Sequence, residues 1–312
     1  MLKLETALAA LFFAGGLRLV RRNAHSEHIP FGAQRVLLYF YRLSLKEVAR
    51  ADLIGGLDEQ GQPFTRETWL RLYFSSPREF THRGQNFTYL PGDRPADSPD
   101  HVIVGYIARP LAVAERTPPS AGFRPTEHRS WRGALIIIDP SEHADGQKIA
   151  FEQRDDIGKT MPVLKSMAAE MRIGDNPSPF DVQIYPIVQP ASFWKFAEDN
   201  DYKIELLAFD VAPPNMFGGS DEFRNELREL RDRNRVSRLK ATLVSDSILD
   251  VRQQNIKEIV DYTELGAGTV KARSVDKKRY NSDAHTTFER VDTETEHEDF
   301  WSKFSSWLSE RF

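Results

Sequence analysis

The sequence predicts a mixed α/β (α+β) protein, with a strand-rich N-terminal half of antiparallel character and then alternating strands and helices on a mixed sheet. Three observations carry that expectation. RVLLYFYRLSL over Arg35–Leu45 and WRGALIIID over Trp131–Asp139 have the branched and aromatic composition of buried strands. Asp145-Gly146 follows the second and can turn the chain so that Lys148–Gln153 pairs back as a hairpin. Beyond Asp155 the pattern changes, and apolar residues alternate between helical spacing and near-continuous runs.

The best-specified stretch is Lys203–Lys240. Ile204–Val211 is apolar at nearly every position, with Glu205 and Asp210 near its ends, which predicts a central strand covered on both faces. Pro213-Pro214 removes two backbone donors and stops the ladder, and Gly218-Gly219 reverses the chain before Ser220, a helix cap. A helix over Asp221–Asn234 follows, with Phe223, Leu227 and Leu230 on its apolar stripe and Arg224, Arg228, Arg231 and Arg235 interleaved with glutamates on the other side. Ser237–Val244 is then the next strand, completing a β-α-β unit.

The other elements follow in order. Glu67–Phe74 reads as a short helix, Phe87–Leu90 and His101–Arg109 as strands, and Glu115–Ser130 as a polar, proline-bearing separator. Asp156–Met171 has helical spacing, with Pro162 tolerated in its first turn. Phe180–Val188 is a strand, Pro190–Asn200 a helix, and Val251–Leu265 a helix ended by Gly266 and Gly268. Thr269–Val275 and Thr286–Val291 are strands, and Glu294–Arg311 is a final helix bearing Phe300, Trp301, Phe304, Trp307 and Leu308. The expected organisation is an N-terminal appendage over residues 1–32, a strand-rich lobe over 33–154, an alternating α/β lobe over 155–292 and an amphipathic helix over 293–312.

Composition narrows the function. The 312 residues carry a formal net charge of −4, so no global basic excess draws the chain to nucleic acid or an anionic membrane, and such binding has to be local. With no cysteine, thiolate nucleophiles, disulfides and cysteine-held metals are excluded. The apolar run Ala7–Leu17 falls short of the roughly 20 residues that cross a bilayer, and its positive charges follow it, an order that argues against export. A cytoplasmic protein without integral membrane insertion is expected.

No GxxxxGK[ST], GxGxxG, GxSxG or HExxH pattern is present. Two weaker constellations remain. Asp139, His143 and Asp145, with Glu142 between them, end a buried strand and have donors for a divalent metal such as Mg or Mn, although DPSEHADG is equally ordinary turn chemistry. Asp276 and Lys278 in VDKKRY have the acid-x-lysine spacing of metal-dependent nucleases, with Asp250 or Asp261 upstream, and also the composition of a lysine-rich turn. His25 and His28 bracket Glu27, but Pro30 and Gly32 make that segment a connection.

Charge placement says more. Arg231, Arg233, Arg235, Arg238 and Lys240 form one basic cluster, and Lys271, Arg273, Lys277, Lys278 and Arg279 another. Were the strands carrying them neighbours, a local basic face suited to phosphate would form on an otherwise acidic protein. Arg129 and Arg132 flank Trp131, which could add an aromatic surface for a base to stack on, although a tryptophan opening so apolar a strand is more often core.

HADGQKIAFEQ, SFWKFA, APPNMFGG and the Gly-x-Gly strand resemble uncharacterised bacterial proteins associated with mobile elements and phage-defence gene clusters, over about Arg35–Val291. The resemblance implies a bacterial cytoplasm and antiviral work, and it assigns no chemistry to any residue. Sequence and resemblance together lead to a DNA- or RNA-binding or sensing component of a conflict system. A metal-dependent nuclease or hydrolase and a scaffold for a protein partner from the same gene cluster are the alternatives.

Overall fold

The computed structural model describes residues 35–47, 64–92, 101–142, 146–173, 178–189, 191–212 and 238–292, with Glu229, Arg233, Asn234 and Val236 between the last two ranges. All fall within the compact unit Gln34–Phe312. The N-terminal run, the turn Ala212–Gly219 beyond its first residue, most of the arginine-rich helix and the C-terminal helix lie outside the described residues.

The first strand, β1 (Arg35–Glu47), extends two residues past its predicted end and is the axis of the larger sheet. Helix α1 (Arg66–Tyr73) is capped by Thr65, whose side chain accepts from the Thr68 amide, and it buries Trp69, Leu70 and Tyr73. Strands β2 (Arg78–His82), β3 (Gln85–Pro91), β4 (Ile103–Arg116) and β5 (Pro125–Asp139) form a meander, and β6 (Gln147–Glu152) turns back on β5 with Asp139 opposite Lys148. Helix α2 (Thr160–Ile173) then leads into β7 (Phe180–Pro186). The sheet order is β12-β1-β6-β5-β4-β3-β2, with β7 also on β1. One face packs on α1 and α2 through Tyr41, Leu43, Leu70, Ile136, Phe151, Leu164 and Met167. Leu38, Phe40, Val104 and Ile137 form a smaller cluster. Each such burial contributes roughly 1.5–3 kcal/mol.

The smaller sheet follows helix α3 (Ser192–Glu198). It contains β8 (Ile204–Val211), β9 (Leu239–Leu249), β10 (Gly268–Ser274) and β11 (Arg279–Asn281), in the order β11-β10-β8-β9. Helix α4 (Gln254–Tyr262) sits between β9 and β10 in sequence, and β12 (Phe288–Asp292) returns to β1. Phe193, Leu207, Phe209, Val260 and Val270 form the core between this sheet and its helices. No helix among the described residues is long and apolar enough to cross a membrane.

The mixed α+β reading is correct, with strands alternating with helices in the C-terminal half. Three details differ. β8 is central in order, but it pairs antiparallel with β9, so the expected β-α-β unit does not close as a parallel crossover. The connection 212–238 is long enough to bring the chain back to either end of β8, and its length does not set the direction. Nor is β8 covered on both faces, since Leu207, Phe209 and Val211 are buried while Glu205, Leu206, Ala208 and Asp210 are only partly so. Leu206 and Ala208 lie opposite Arg273 and Lys271, whose aliphatic stems can shield an apolar residue while the charges stay in water.

The third difference is Glu115–Ser130, which is no loop. β4 and β5 run on as a two-stranded ribbon to the pair Arg116 and Pro125, closed by a tip at Gly122 (φ 87°) and Phe123 (φ 51°). Trp131 is 42% exposed on this ribbon and is not in the core.

Candidate nucleic-acid interface

Along β8, Leu206, Ala208 and Asp210 alternate onto the outer, less buried face of the small sheet, while the register shift against β10 between Arg273 and Ser274 makes Glu205 a bulge residue outside that alternation, near the other end of the strand. β9 and β10 flank β8, so the two basic clusters are not on adjacent strands. They come together across the central strand. Register places Lys240 opposite Asp210, Lys271 opposite Ala208, and Arg279 opposite Arg273.

Each carboxylate is shared between two bases. Arg238 grips Asp210 with Nε and Nη2, one on each oxygen, and Lys240 Nζ stands 4.0 Å from Oδ2. At the other end Arg273 Nε donates to Glu205, and Lys277 Nζ donates to both of its oxygens at 2.9 and 2.7 Å. The Lys277 hydrogen bond, with Arg273 adding to it, holds the Glu205 carboxyl below the usual range, so it stays ionised. The same contact with Asp210 raises the Arg238 guanidinium. Ion pairs at the surface add little to stability. Their larger effect is geometric, because two bases on one carboxylate leave one uncompensated positive charge at a fixed place.

The β10–β11 turn completes the face. The Ser274 amide donates to Lys278 O and the Lys277 amide to Ser274 O, both at 2.9 Å, with Lys277 at φ 65°. Lys271, Lys278 and Arg279 are exposed, and among the described residues none of them has an ion pair. From Arg238 through β9, and on β8, β10 and β11 with their turn, seven bases face Glu205, Asp210, Asp246 and Asp276, a formal surplus of three positive charges.

The remaining candidates are placed as follows. Arg231 and Arg235 lie outside the described residues, and Arg233 pairs with Glu229 at 3.4 Å in a helical segment. Asp276 and Lys278 are exposed in the hairpin turn. Asp250 accepts from the Arg252 amide and from Gln253 Nε2, while Asp261 is exposed on α4. Asp139 is 3% exposed and its Oδ1 accepts from the Ser141 amide at 3.0 Å, the turn role that DPSEHADG also allows. His143 and Asp145 lie outside the described residues, as do His25 and His28. Glu142 pairs with Arg66 at 3.4 Å. Among the described residues no group of three His, Asp or Glu side chains is placed to hold a metal ion.

Sequence reading missed the part played by Glu205 and Asp210, although an acid near each end of an apolar strand was the available signal. Gly266 and Gly268 also do more than stop a helix. Gly266 has φ 80° and lies against Arg42, where a Cβ would come within 3.0 Å of the Arg42 Cβ. At Gly268 a Cβ would meet Asp210 O at 2.5 Å, so β10 needs a glycine to approach β8 there.

The chain matches no family model, no curated protein and no solved structure.

Proposed function

We propose that this protein binds nucleic acid through the outer face of the four-stranded sheet, as a sensing or binding component of a bacterial anti-phage system. The observation that carries the reading is the pair of carboxylates on β8, each shared by two bases, flanked by Lys271, Lys278 and Arg279, which have no ion pair among the described residues. Together they form a local positive field on a chain of net charge −4. Phosphates fit such a face because every neutralised phosphate releases condensed counterions, which makes binding strongest at low salt. The antiviral setting is the part contributed by the sequence resemblance.

The test is fluorescence anisotropy of labelled DNA and RNA oligonucleotides, single-stranded and duplex, titrated with the full chain at about 50 mM salt. Binding that weakens steadily as salt rises is the expected result. Absence of binding to every oligonucleotide at low salt would overturn the proposal.

A further inference from the structure

Beside the basic turn, the N-terminal end of β8 has features that the sheet itself does not require. Ile204 pairs with Leu249 but Leu206 pairs with Val244, so β9 bows outward over Ser245–Ile248 in a bulge, pinned by Ser245 Oγ accepting from the Ser247 amide at 3.1 Å. Across from the bulge, Asp201 (φ 52°) and Tyr202 (φ 57°) are successive non-glycine residues in the left-handed region, a conformation that costs about 1 kcal/mol or more per residue. Bulge and turn together leave a cavity of about 290 Å³, lined by Tyr202, Ile248, Arg252, Asp201 and Asp250 among others.

Inside this rim the Arg252 guanidinium lies over the Tyr202 ring, 4.0 Å from its centroid, and Arg252 is exposed. Tyr202 thus lies against one side of a flat, cationic group on an exposed residue. Ile248, 52% exposed, adds an apolar wall. Asp201 accepts from Lys203 at 3.1 Å, and Asp250 accepts from the Arg252 amide and Gln253 Nε2 in the turn before α4, so both carboxylates are held at the rim as acceptors. A plane to stack on, an apolar wall and fixed acceptors for edge N–H groups are the requirements of a nucleobase.

The cavity is tied to the basic turn through the backbone. The Val275 amide donates to Lys203 O at 2.9 Å, which ties the lysine-rich turn to the residue next to Tyr202. Lys277 is held by Glu205, three residues along the chain from Tyr202 and so at most about 10 Å from it.

We propose that this cavity takes an unpaired base, stacked on the Arg252 guanidinium with Tyr202 beneath it, while the phosphates of the same strand lie on the Lys277–Arg279 turn. The ligand class is therefore single-stranded nucleic acid. The inference rests on the nucleic-acid-binding reading and narrows it, because a duplex keeps its bases stacked and cannot offer one to the cavity without unpairing.

The experiment compares a labelled mixed-sequence strand of about 20 nucleotides, longer than the roughly 4–16 that one single-strand-binding module occupies, with the same strand annealed to its complement. The full chain should prefer the single strand by about tenfold. Arg252→Lys keeps the charge but loses the plane, and should forfeit that preference while leaving duplex affinity and salt dependence unchanged. Tyr202→Asn, a residue that accepts the left-handed backbone, should do the same, and Tyr202→Phe should retain the preference. If Tyr202→Asn does not fold, Arg252→Lys decides alone. Equal affinity for both forms, or an Arg252→Lys protein that binds the single strand like the parent, overturns the inference and leaves the phosphate-binding face standing. If the parent binds neither form, both readings fall.

Discussion

Replacing Lys271 and Arg279 together by alanine is the sharpest perturbation of the proposed face. Both are exposed, and among the described residues neither is in an ion pair, so their loss should shift folding stability by no more than about 0.5 kcal/mol and leave Tm unchanged. The effect on binding follows from the charges. One base from each carboxylate-bridged pair, with Lys271, Lys278 and Arg279, gives up to five positions for phosphate. At about −0.7 per neutralised phosphate on a single strand, the slope of log K against log salt should be about −3.5 for the parent and about −2.1 for the double variant. Between about 50 and 200 mM salt the parent then loses about a hundredfold in affinity and the variant about twentyfold. Anisotropy titrations at four or five salt concentrations measure both slopes. A variant slope equal to that of the parent, with the parent binding, would refute the assignment of phosphates to this face.

Other outcomes follow from the same structure. Glu205→Gln frees Arg273 and Lys277 from their shared carboxylate, so binding at low salt should tighten, and weaker binding in the same titration would contradict the arrangement of charges. Gly266→Ala forces a Cβ against Arg42 at a left-handed position and should cost more than about 1 kcal/mol in denaturant unfolding, whereas an unchanged midpoint would mean the site relaxes freely. Phe193→Ala empties a fully buried site in the smaller core and should cost roughly 3–5 kcal/mol. Burial raises the Glu264 carboxyl above its ordinary value near 4.5, outweighing the Ala191 amide that donates to it. The folded state therefore holds this proton more tightly than the unfolded chain, and stability falls as pH rises from about 4.5 through the folded value. Glu264→Gln should remove that loss, so its Tm advantage over the parent should grow between pH 4.5 and neutrality, and a constant difference would show that Glu264 does not titrate in this way.

What the sequence revealed and what it hid divide along physical lines. Elements with one well-buried face were legible. Arg35–Leu45 lies within β1, Glu67–Phe74 is shifted by one residue from α1, and Trp131–Asp139 lies within β5 and is buried from Ala134 onward except at half-buried Leu135. The β4–β5 ribbon was not, because from Ala112 to Arg129 most side chains on both faces are exposed and leave no apolar alternation to read. Pairing direction was hidden too, since β8 against β9 depends on where a long connection returns. For the candidate site, the bases were visible as two runs of charge, while their meeting across β8 required the sheet order β11-β10-β8-β9. The cavity at Tyr202 had no clear sequence signal, because a tyrosine rarely adopts the left-handed backbone that it has here beside Asp201.

The position of β1 has a consequence for how the chain is made. One edge of β1 carries β7 over Tyr41–Glu47 and then β12 over Arg35–Tyr39, so its opening residues wait for partners at Phe288–Asp292. On a ribosome, β1 emerges long before β12, and that part of its edge stays without this partner until Phe288–Asp292 has followed. Closing so long a loop costs little more entropy than a loop of half its length, about 0.6 kcal/mol per doubling, but it comes late. During that interval the apolar start of β1 is a template for the wrong strand, on this chain or on a neighbour. A nascent chain halted before β12 should therefore aggregate where the finished protein does not, and ribosome-bound intermediates of increasing length would show the change as Phe288–Asp292 clears the exit tunnel.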